Sequence, residues 1–523
     1  MIFRAPEPDV TIPDVALTPF LLERAAVHGD RVAFIDGGTG RTITFRSWAQ
    51  SVRRVAAGLA RRGFRKGDVF AIYSPNLPEY AELFHGVSLA GGVNTTINPT
   101  ATSEELARQL RDAGAVYLAT TSAFLSNALA AAAKSGVRET FVFDEDPRAT
   151  PFGSLQDAEG GPPAPEIDPA VDLVALPYSS GTTGLPKGVM LTHRNLVANV
   201  LQAAATVDVR DGDVVLGVLP FFHIYGMSVI MNVALYRGAA VVTMPRFELE
   251  RCLETIQRHR VSLAFVVPPI VLALAKSPLV DRYDLSSVRM LFSGAAPLGE
   301  NVAGAAAARL GCGVTQGYGM TETSPVTHAG RGRDGICVSG IGPPVPNTEV
   351  RVVDLETGGD AGANEEGEIW IRGPQVMKGY LNRPDATAAM IDGDGWLHTG
   401  DVGYADEAGN FFVVDRVKEL IKYKGFQVAP AELEAVLLSH PCVSDAAVIP
   451  FPDEEAGEIP KAYVVLRSEA TADDLMTYVA DRVARYKQVR RVEITDQIPK
   501  SPSGKILRRV LVDRERARAA QGA

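Results

Sequence analysis

The chain has 523 residues, of which 46% are hydrophobic and 22% charged, and its formal net charge is −10. That length exceeds one ordinary core, so two or more domains are expected; the acidic balance argues against a nucleic-acid surface, whose phosphates demand a basic field. No apolar run approaches the roughly 18 to 20 residues of a membrane span, and the opening MIFRAPEPDVTIPD has neither the apolar centre of a secretory signal nor the Arg-rich character of a transit peptide, so a cytoplasmic protein is expected.

In chain order, Trp48, Val52, Val55 and Leu59 recur at helical spacing, and the helix should stop at Gly63 before an apolar strand over Asp68 to Tyr73. A second helical pattern, Tyr80 to Ala90, completes a β, α, β rhythm. Gly153 to Pro169, rich in Pro, Gly and acidic residues, reads as a surface connection. The alternation returns between Val171 and Val314, with strands predicted at Leu216 to Leu219, Ala240 to Met244, Leu263 to Val267 and Met290 to Phe292. After about Ser339 come short β-like runs such as Glu349 to Val353 and Gly367 to Ile371, which fit a small barrel or antiparallel sheet. Near the end Arg508, Arg509, Arg514, Arg516 and Arg518 alternate with Asp513, Glu515 and alanines, as on a solvated helix face. The cysteines, Cys252, Cys312, Cys337 and Cys442, form no C-x-x-C pair and read as reduced thiols.

The most informative stretch is YSSGTTGLPKGV, Tyr178 to Val189, which follows the apolar run Leu173 to Leu176. Its small residues let backbone N–H groups approach an anion, its hydroxyls add donors and Lys187 adds a cation, so it is built to hold phosphates. It is not a Walker loop, because Gly188 stands where that motif has Ser or Thr. Neither G-x-G-x-x-G, G-x-S-x-G nor H-E-x-x-H occurs, which removes simple dinucleotide, serine-hydrolase and zincin readings.

This stretch is followed by PFFHIYG (Pro220 to Gly226), SGAAPLG (Ser293 to Gly299), QGYGMTET (Gln316 to Thr323), LHTGD (Leu397 to Asp401), DRVKELIKYKGFQVAPAELE (Asp415 to Glu434) and PKSPSGKILRR (Pro499 to Arg509). In sequence and order these segments resemble the adenylate-forming superfamily of acyl-CoA synthetases, firefly luciferase and peptide-synthetase adenylation domains, and are most similar to its 4-coumarate CoA ligase branch. The resemblance covers nearly the whole chain. It implies an α/β fold: a large N-terminal domain, 1–415, of two layered α/β subdomains plus a small β-barrel, and a small mobile α+β C-terminal domain, 416–523, hinged near Lys418. It also implies ATP, Mg2+ and coenzyme A as the reactants and cofactor, with an acyl-adenylate as intermediate.

By resemblance, Ser179, Ser180, Gly181, Thr182, Thr183, Gly184 and Lys187 hold phosphates, while Ala295, Gln316, Gly317, Tyr318, Gly319, Met320 and Phe412 surround the nucleotide. Thr321 meets the α-phosphate and Glu322 the Mg2+, with Thr183 a further candidate ligand. Asp401 and Arg416 hold the ribose. Lys505 contacts the carboxylate and α-phosphate as the acid attacks phosphorus. His223 borders the acyl pocket and the thiol path, and Lys422 and Gln427 belong to the segment presented for the second half-reaction, in which Lys424, Gly425 and Phe426 line the pantetheine channel. The acyl pocket is expected from His223, Tyr225, Val229, Phe292, Ala295, Gly317, Pro325, Val326 and Thr327.

A carboxylate is a poor electrophile, and transfer to AMP gives it a good leaving group before the thiol attacks. The apolar pocket suits an aryl or medium-length acid. Phe292 is bulkier than the Met usual in the plant enzymes of that branch, which points toward cinnamate, a benzoate-sized acid or a differently shaped chain. The motifs do not separate aryl from medium-chain fatty acids, nor free coenzyme A from a carrier-protein phosphopantetheine. A non-catalytic nucleotide-binding relative is disfavoured because Lys187, Glu322 and Lys505 are all present. A peptide-synthetase domain is disfavoured because no Asp near Phe222 to Gly226 can grip an amino group.

Overall fold

The computed structural model describes residues 1–157, 161–179, 186–330, 340–416, 419–423, 426–453, 456–501 and 504–521, with the backbone alone at 426, 427 and 519–521. The apolar runs form strands because each is covered on both faces, the condition a parallel sheet imposes. In the first sheet Val69–Tyr73 runs parallel to Val93–Ile97 on one side and Ala115–Thr120 on the other. This sheet extends through Leu173–Ala175 to the antiparallel strand Lys187–Thr192, which pairs in turn with Tyr178–Ser179. The second sheet has the order Val326–Ala329, Gly313–Gly319, Met290–Ser293, Leu263–Val266, Val214–Gly217, Ala240–Thr243, Val32–Asp36, Thr42–Thr44, antiparallel only at its two ends.

One hydrophobic core joins the two sheets. The helices Phe45–Arg61 and Pro78–Leu89 contribute to it, with Trp48 wholly buried, and the first ends two residues before Gly63, whose φ of 77° no longer fits a helix. Phe3–Arg4, Glu349–Val353, Gly367–Arg372, Leu397–Ala405 and Phe411–Arg416 form a five-stranded antiparallel sheet over a core that includes Val350, Ile369 and Phe411. Past residue 418 a further sheet, built on the long hairpin Val443–Asp453 and Gly457–Leu466, has a hydrophobic core of its own around Ile421, Leu433, Val448 and Val464.

The helix His193–Thr206 ties these layers together through buried amides. Thr192 caps it, its hydroxyl accepting the Asn195 N–H at 3.2 Å, while the Asn195 side chain donates to the Pro374 and Val376 carbonyls. One turn on, Asn199 donates to the Val326 carbonyl at 2.7 Å and accepts the Val326 N–H at 3.0 Å. A polar face that would be wasted in an isolated helix thus fixes two segments that border the cleft described below.

Two local expectations need correction. Gly153–Gln156 is a short helix rather than surface connection: Leu155 is wholly buried, and the Gln156 amide donates to Ser51 and Glu82. Residues 161–169 carry no regular structure. Arg508 does not share the solvated face of the last helix. Its guanidinium donates to Glu419, to Glu434 at 2.7 Å and to the Val448 carbonyl at 3.2 Å, with its side chain only 12% exposed, whereas Arg509 and Arg516 are exposed. Cys252 and Cys312 are buried and Cys442 half-buried, all as free thiols; Cys337 lies outside the described residues. Among the described residues no helix is long and apolar enough to cross a membrane.

Removing one partner of a buried ion pair strands the other charge, which costs about 3–5 kcal/mol. Arg508→Ala is therefore expected to lower stability by about that amount in urea unfolding. An alanine variant that unfolds at the wild-type midpoint would contradict the burial of this network.

Candidate active site

A cleft of about 2560 Å³ opens between the second sheet, the antiparallel sheet and the C-terminal unit. Into it the fold brings Ser179, Lys187, His223, Tyr225, Phe292, Ala295, Gln316, Gly317, Tyr318, Gly319, Met320, Thr321, Glu322, Pro325, Val326, Asp401, Phe412, Arg416 and Lys505. These residues are scattered over more than 300 positions of sequence. They meet because several sit at or just beyond the ends of parallel strands, where side chains leave the sheet and face open space.

Asp401 and Arg416 are direct partners in the ladder between Leu397–Ala405 and Phe411–Arg416. Cross-strand partners share a face, so the Arg416 Nε lies 3.0 Å from Asp401 Oδ1. The other carboxylate oxygen accepts the Tyr318 hydroxyl, and the Asp401 N–H is held by Thr399 Oγ1 at 3.0 Å. Burial pushes the Asp401 carboxyl up against the opposing pull of Arg416, Tyr318 and Lys505. Burial and the Asp401 charge raise the Tyr318 hydroxyl, which therefore stays a donor.

Lys505 reaches this cluster from the C-terminal unit. The Lys505 N–H donates to Ser501 Oγ at 3.1 Å, its carbonyl accepts the Ser501 N–H at 2.8 Å, and the Leu507 N–H returns to the Pro499 carbonyl. Arg508, clamped as above, fixes the far side of that turn. Burial first and Arg416 second lower the Lys505 ammonium to about 8, while Glu419 and Asp401 oppose the shift.

At the end of the cleft where Lys187 lies, the Glu322 carboxylate accepts the Tyr380 hydroxyl at 2.7 Å, and Lys187 Nζ stands 4.3 Å from the centre of the Tyr380 ring. Among the described residues there is no cluster of three or more His, Cys, Asp or Glu that could cage a metal. A single carboxylate facing a phosphate site suits Mg2+, which keeps most of its ligands from water and phosphate.

The segment carrying His223 is tied down by Asn76, whose amide donates to the Gly217 and Leu219 carbonyls and accepts the Phe221 N–H at 2.7 Å. His223 Nδ1 accepts the Tyr225 N–H at 3.2 Å, so the neutral ring carries its proton on Nε2. Burial lowers this imidazole to about 4. The Tyr225 hydroxyl donates to the Phe292 carbonyl at 3.1 Å. The Phe292 ring lies against Gly317, where an added Cβ would come within 2.7 Å of it, so glycine there is what lets the ring fill this end of the pocket.

Not every expected residue reaches the cleft. Val229 is buried in the π-helical segment Gly226–Asn232, and Thr327 is wholly buried with its hydroxyl donating to the Tyr318 carbonyl at 3.3 Å, so both stand behind the wall. Lys422 is exposed on Ile421–Tyr423, its backbone paired with Gln427, and is not among the residues that line the cleft; Phe426 opens the same partner strand. Ser180, Gly181, Thr182, Thr183, Gly184, Lys418, Lys424 and Gly425 lie outside the described residues. Conversely, Tyr380 and Glu419 line the cleft without having been singled out. The glycine before Tyr380 was the available signal.

The chain is similar to known proteins over its whole length. The AMP-binding enzyme family matches residues 21–381, and the AMP-binding enzyme C-terminal domain matches residues 432–505. A 4-coumarate–CoA ligase of Oryza sativa subsp. japonica is 46% identical, the alignment covering 100% of this chain and 98% of that protein. One from Pinus taeda is also 46% identical, over 98% and 97%. Among solved structures, the anthranilate CoA ligase AuaEII in complex with anthranoyl-AMP superposes with a TM-score of 0.90 at 25% identity, covering 98% of this chain and 99% of that one. ATP-bound MatB from Rhodopseudomonas palustris gives 0.86 at 29% identity, covering 95% and 98%. With a family model matching residues 21–381 and likeness to curated relatives running the full length of the chain, this protein belongs to the AMP-binding enzyme family of adenylate-forming proteins.

Proposed function

We propose that the chain is an AMP-forming acid–CoA ligase acting on aryl acids of the cinnamate and 4-coumarate type, with a boundary near 416 and a hinge at Lys418 between its large and small domains. The observation that carries this reading is the convergence of Lys505, from one unit, on the Asp401–Arg416–Tyr318 cluster of the other. Asp401 and Arg416 hold the ribose, and Tyr318 lies along the adenine. Lys505 bridges the acid's carboxylate and the α-phosphate, lowering their mutual repulsion and stabilising the charge that gathers during in-line attack. Thr321 and the backbone donors beside it hold the α-phosphoryl oxygens. Mg2+, when bound at Glu322, supplies positive charge for the leaving pyrophosphate.

In the second half-reaction the small unit turns, withdrawing Lys505 and presenting the Lys422 and Gln427 hairpin, with Lys424, Gly425 and Phe426 along the pantetheine arm. Support for this comes from the placement of Lys422, exposed on the strand Ile421–Tyr423 and not lining the cleft, while Lys505 lines it. His223, neutral over the working pH range, borders the thiol's path and offers an N–H on Nε2. Free CoA is the acceptor we propose, and the cytoplasm the compartment, where ATP and CoA are available and thiols such as Cys252 stay reduced. The relatives named as 4-coumarate–CoA ligases support the aryl-acid class. The Phe292 ring against Gly317 shortens the pocket and favours acids with little or nothing at the para position.

Pyrophosphate release with ATP and Mg2+ over cinnamates, benzoates and medium-chain fatty acids, with and without CoA, tests the reading. An aryl acid is expected to give release and a CoA thioester, and Lys505→Ala to slow adenylation by on the order of 10²- to 10³-fold while sparing thioester formation from preformed acyl-adenylate. No release with any acid would sink the proposal.

The pH profile follows from Lys505. Its ammonium is charged below about 8 and neutral above, so kcat/KM for ATP should fall as pH rises through that value. Lys505→Arg, charged throughout, should flatten the alkaline limb even if its rate is lower; an unchanged limb would assign it to another group. Phe292→Ala should raise the preference for 4-coumarate over cinnamate by about tenfold, read as a ratio of kcat/KM values. An unaltered ratio would remove Phe292 from the specificity argument.

A further inference from the structure

Tyr380 lies within the matched residues 21–381 but in none of the motifs singled out from the sequence, yet it touches both charged groups at this end of the cleft. Its hydroxyl donates to Glu322 Oε1 at 2.7 Å, and its ring lies 4.3 Å from Lys187 Nζ, a cation–π distance. Each charged group thus meets a different part of the same side chain, Glu322 the hydroxyl and Lys187 the ring. A charged side chain that is already held in place loses less freedom when it meets a ligand.

The backbone explains how this side chain is aimed. Gly379–Tyr380 is a two-residue strand paired with the strand that carries Lys187, with Val189 opposite Tyr380 and Met190 opposite Gly379. The Leu381 N–H donates to the Gly188 carbonyl at 2.9 Å, and on the other side the Met377 N–H donates to the Glu322 carbonyl at 2.8 Å. Residues 377–381 therefore stitch the Lys187 strand to the Glu322 turn. Gly379 has φ 143°, and a Cβ there would lie 2.7 Å from the Thr387 side chain, whose hydroxyl accepts the Tyr380 N–H at 2.9 Å. That glycine lets the chain turn tightly enough to bring the ring between the two charges.

We propose that Tyr380 is a positioning residue that presets Glu322 for the Mg2+ accompanying ATP and Lys187 for the phosphates, its hydroxyl serving one and its ring the other. The inference rests on the adenylation reading above. Because the hydroxyl and the ring act on different partners, they separate by mutation. Tyr380→Phe keeps the ring and the packing and loses the bond to Glu322; Tyr380→Leu loses both.

The test is titration calorimetry of ATP binding, with and without Mg2+, to wild type, Tyr380→Phe, Tyr380→Leu, Glu322→Gln and the Tyr380→Phe/Glu322→Gln double variant. In Tyr380→Phe, metal-free ATP affinity should stay at the wild-type value while the gain on adding Mg2+ shrinks by about tenfold. In Tyr380→Leu metal-free affinity should fall as well. On the Glu322→Gln background, Tyr380→Phe should cost no further affinity, because its effect runs through that carboxylate. A Tyr380→Phe variant that keeps the wild-type Mg2+ gain, loses affinity equally with and without metal, or adds its full effect to Glu322→Gln overturns the proposal. Wild-type pyrophosphate release keeps the two claims apart: release together with an unaltered Mg2+ gain in Tyr380→Phe defeats the Tyr380 inference alone, whereas no release with any acid defeats the adenylation reading beneath it.

Discussion

Asp401 stands opposite Arg416 in an antiparallel ladder, and its carboxylate is almost wholly out of water. A buried carboxylate is tolerable only when its oxygens are satisfied, and here one takes the guanidinium and the other the Tyr318 hydroxyl. Tyr318 arrives from the second α/β sheet and Arg416 ends the last strand before the small unit. One desolvated charge therefore ties the antiparallel sheet to the second α/β sheet. Lys505, from the small unit, adds its charge to the same cluster.

The small unit is organised by a second buried charge set of opposite polarity. Arg508 gathers Glu419 and Glu434 beneath the turn that presents Lys505, so the lysine is delivered by a rigid support rather than by a loose tail. The strength of such a network lies less in net stability than in definiteness: a displaced turn would leave three charges unpaired. Rigidity in the delivering unit is what the proposed turning of that unit requires.

Much of this was legible in the chain. The strands Val69–Tyr73 and Met290–Ser293 are short apolar runs covered on both faces, and their burial is written in their composition. The cleft residues lay in motifs whose glycines, hydroxyls and charges announce anion binding. What stayed hidden depends on partners distant in sequence. Arg508 reads as one more arginine on a solvated helix because the carboxylates that bury it lie 74 and 89 residues away. Val229 and Thr327 are buried and do not line the cleft although Tyr225 and Val326, close to them in sequence, do, since a π-helical turn and a strand's alternation decide exposure more finely than residue type does. Tyr380 is a single aromatic in a polar stretch, and its importance lies in a two-residue pairing with a strand nearly two hundred positions earlier.

The placement of Lys505 inside the cleft while the Lys422 strand stays outside has a further consequence. One small unit cannot offer both faces at once, so in the proposed cycle the activated acid must sit unattended while that unit turns. During this interval the only competitor for the thiol is water. The apolar wall formed by Tyr225, Phe292 and Val326 is then a timer as much as a fitting for the acid: an acid that fills it keeps water from the mixed anhydride, and one that leaves gaps turns the enzyme into a slow ATP pyrophosphohydrolase.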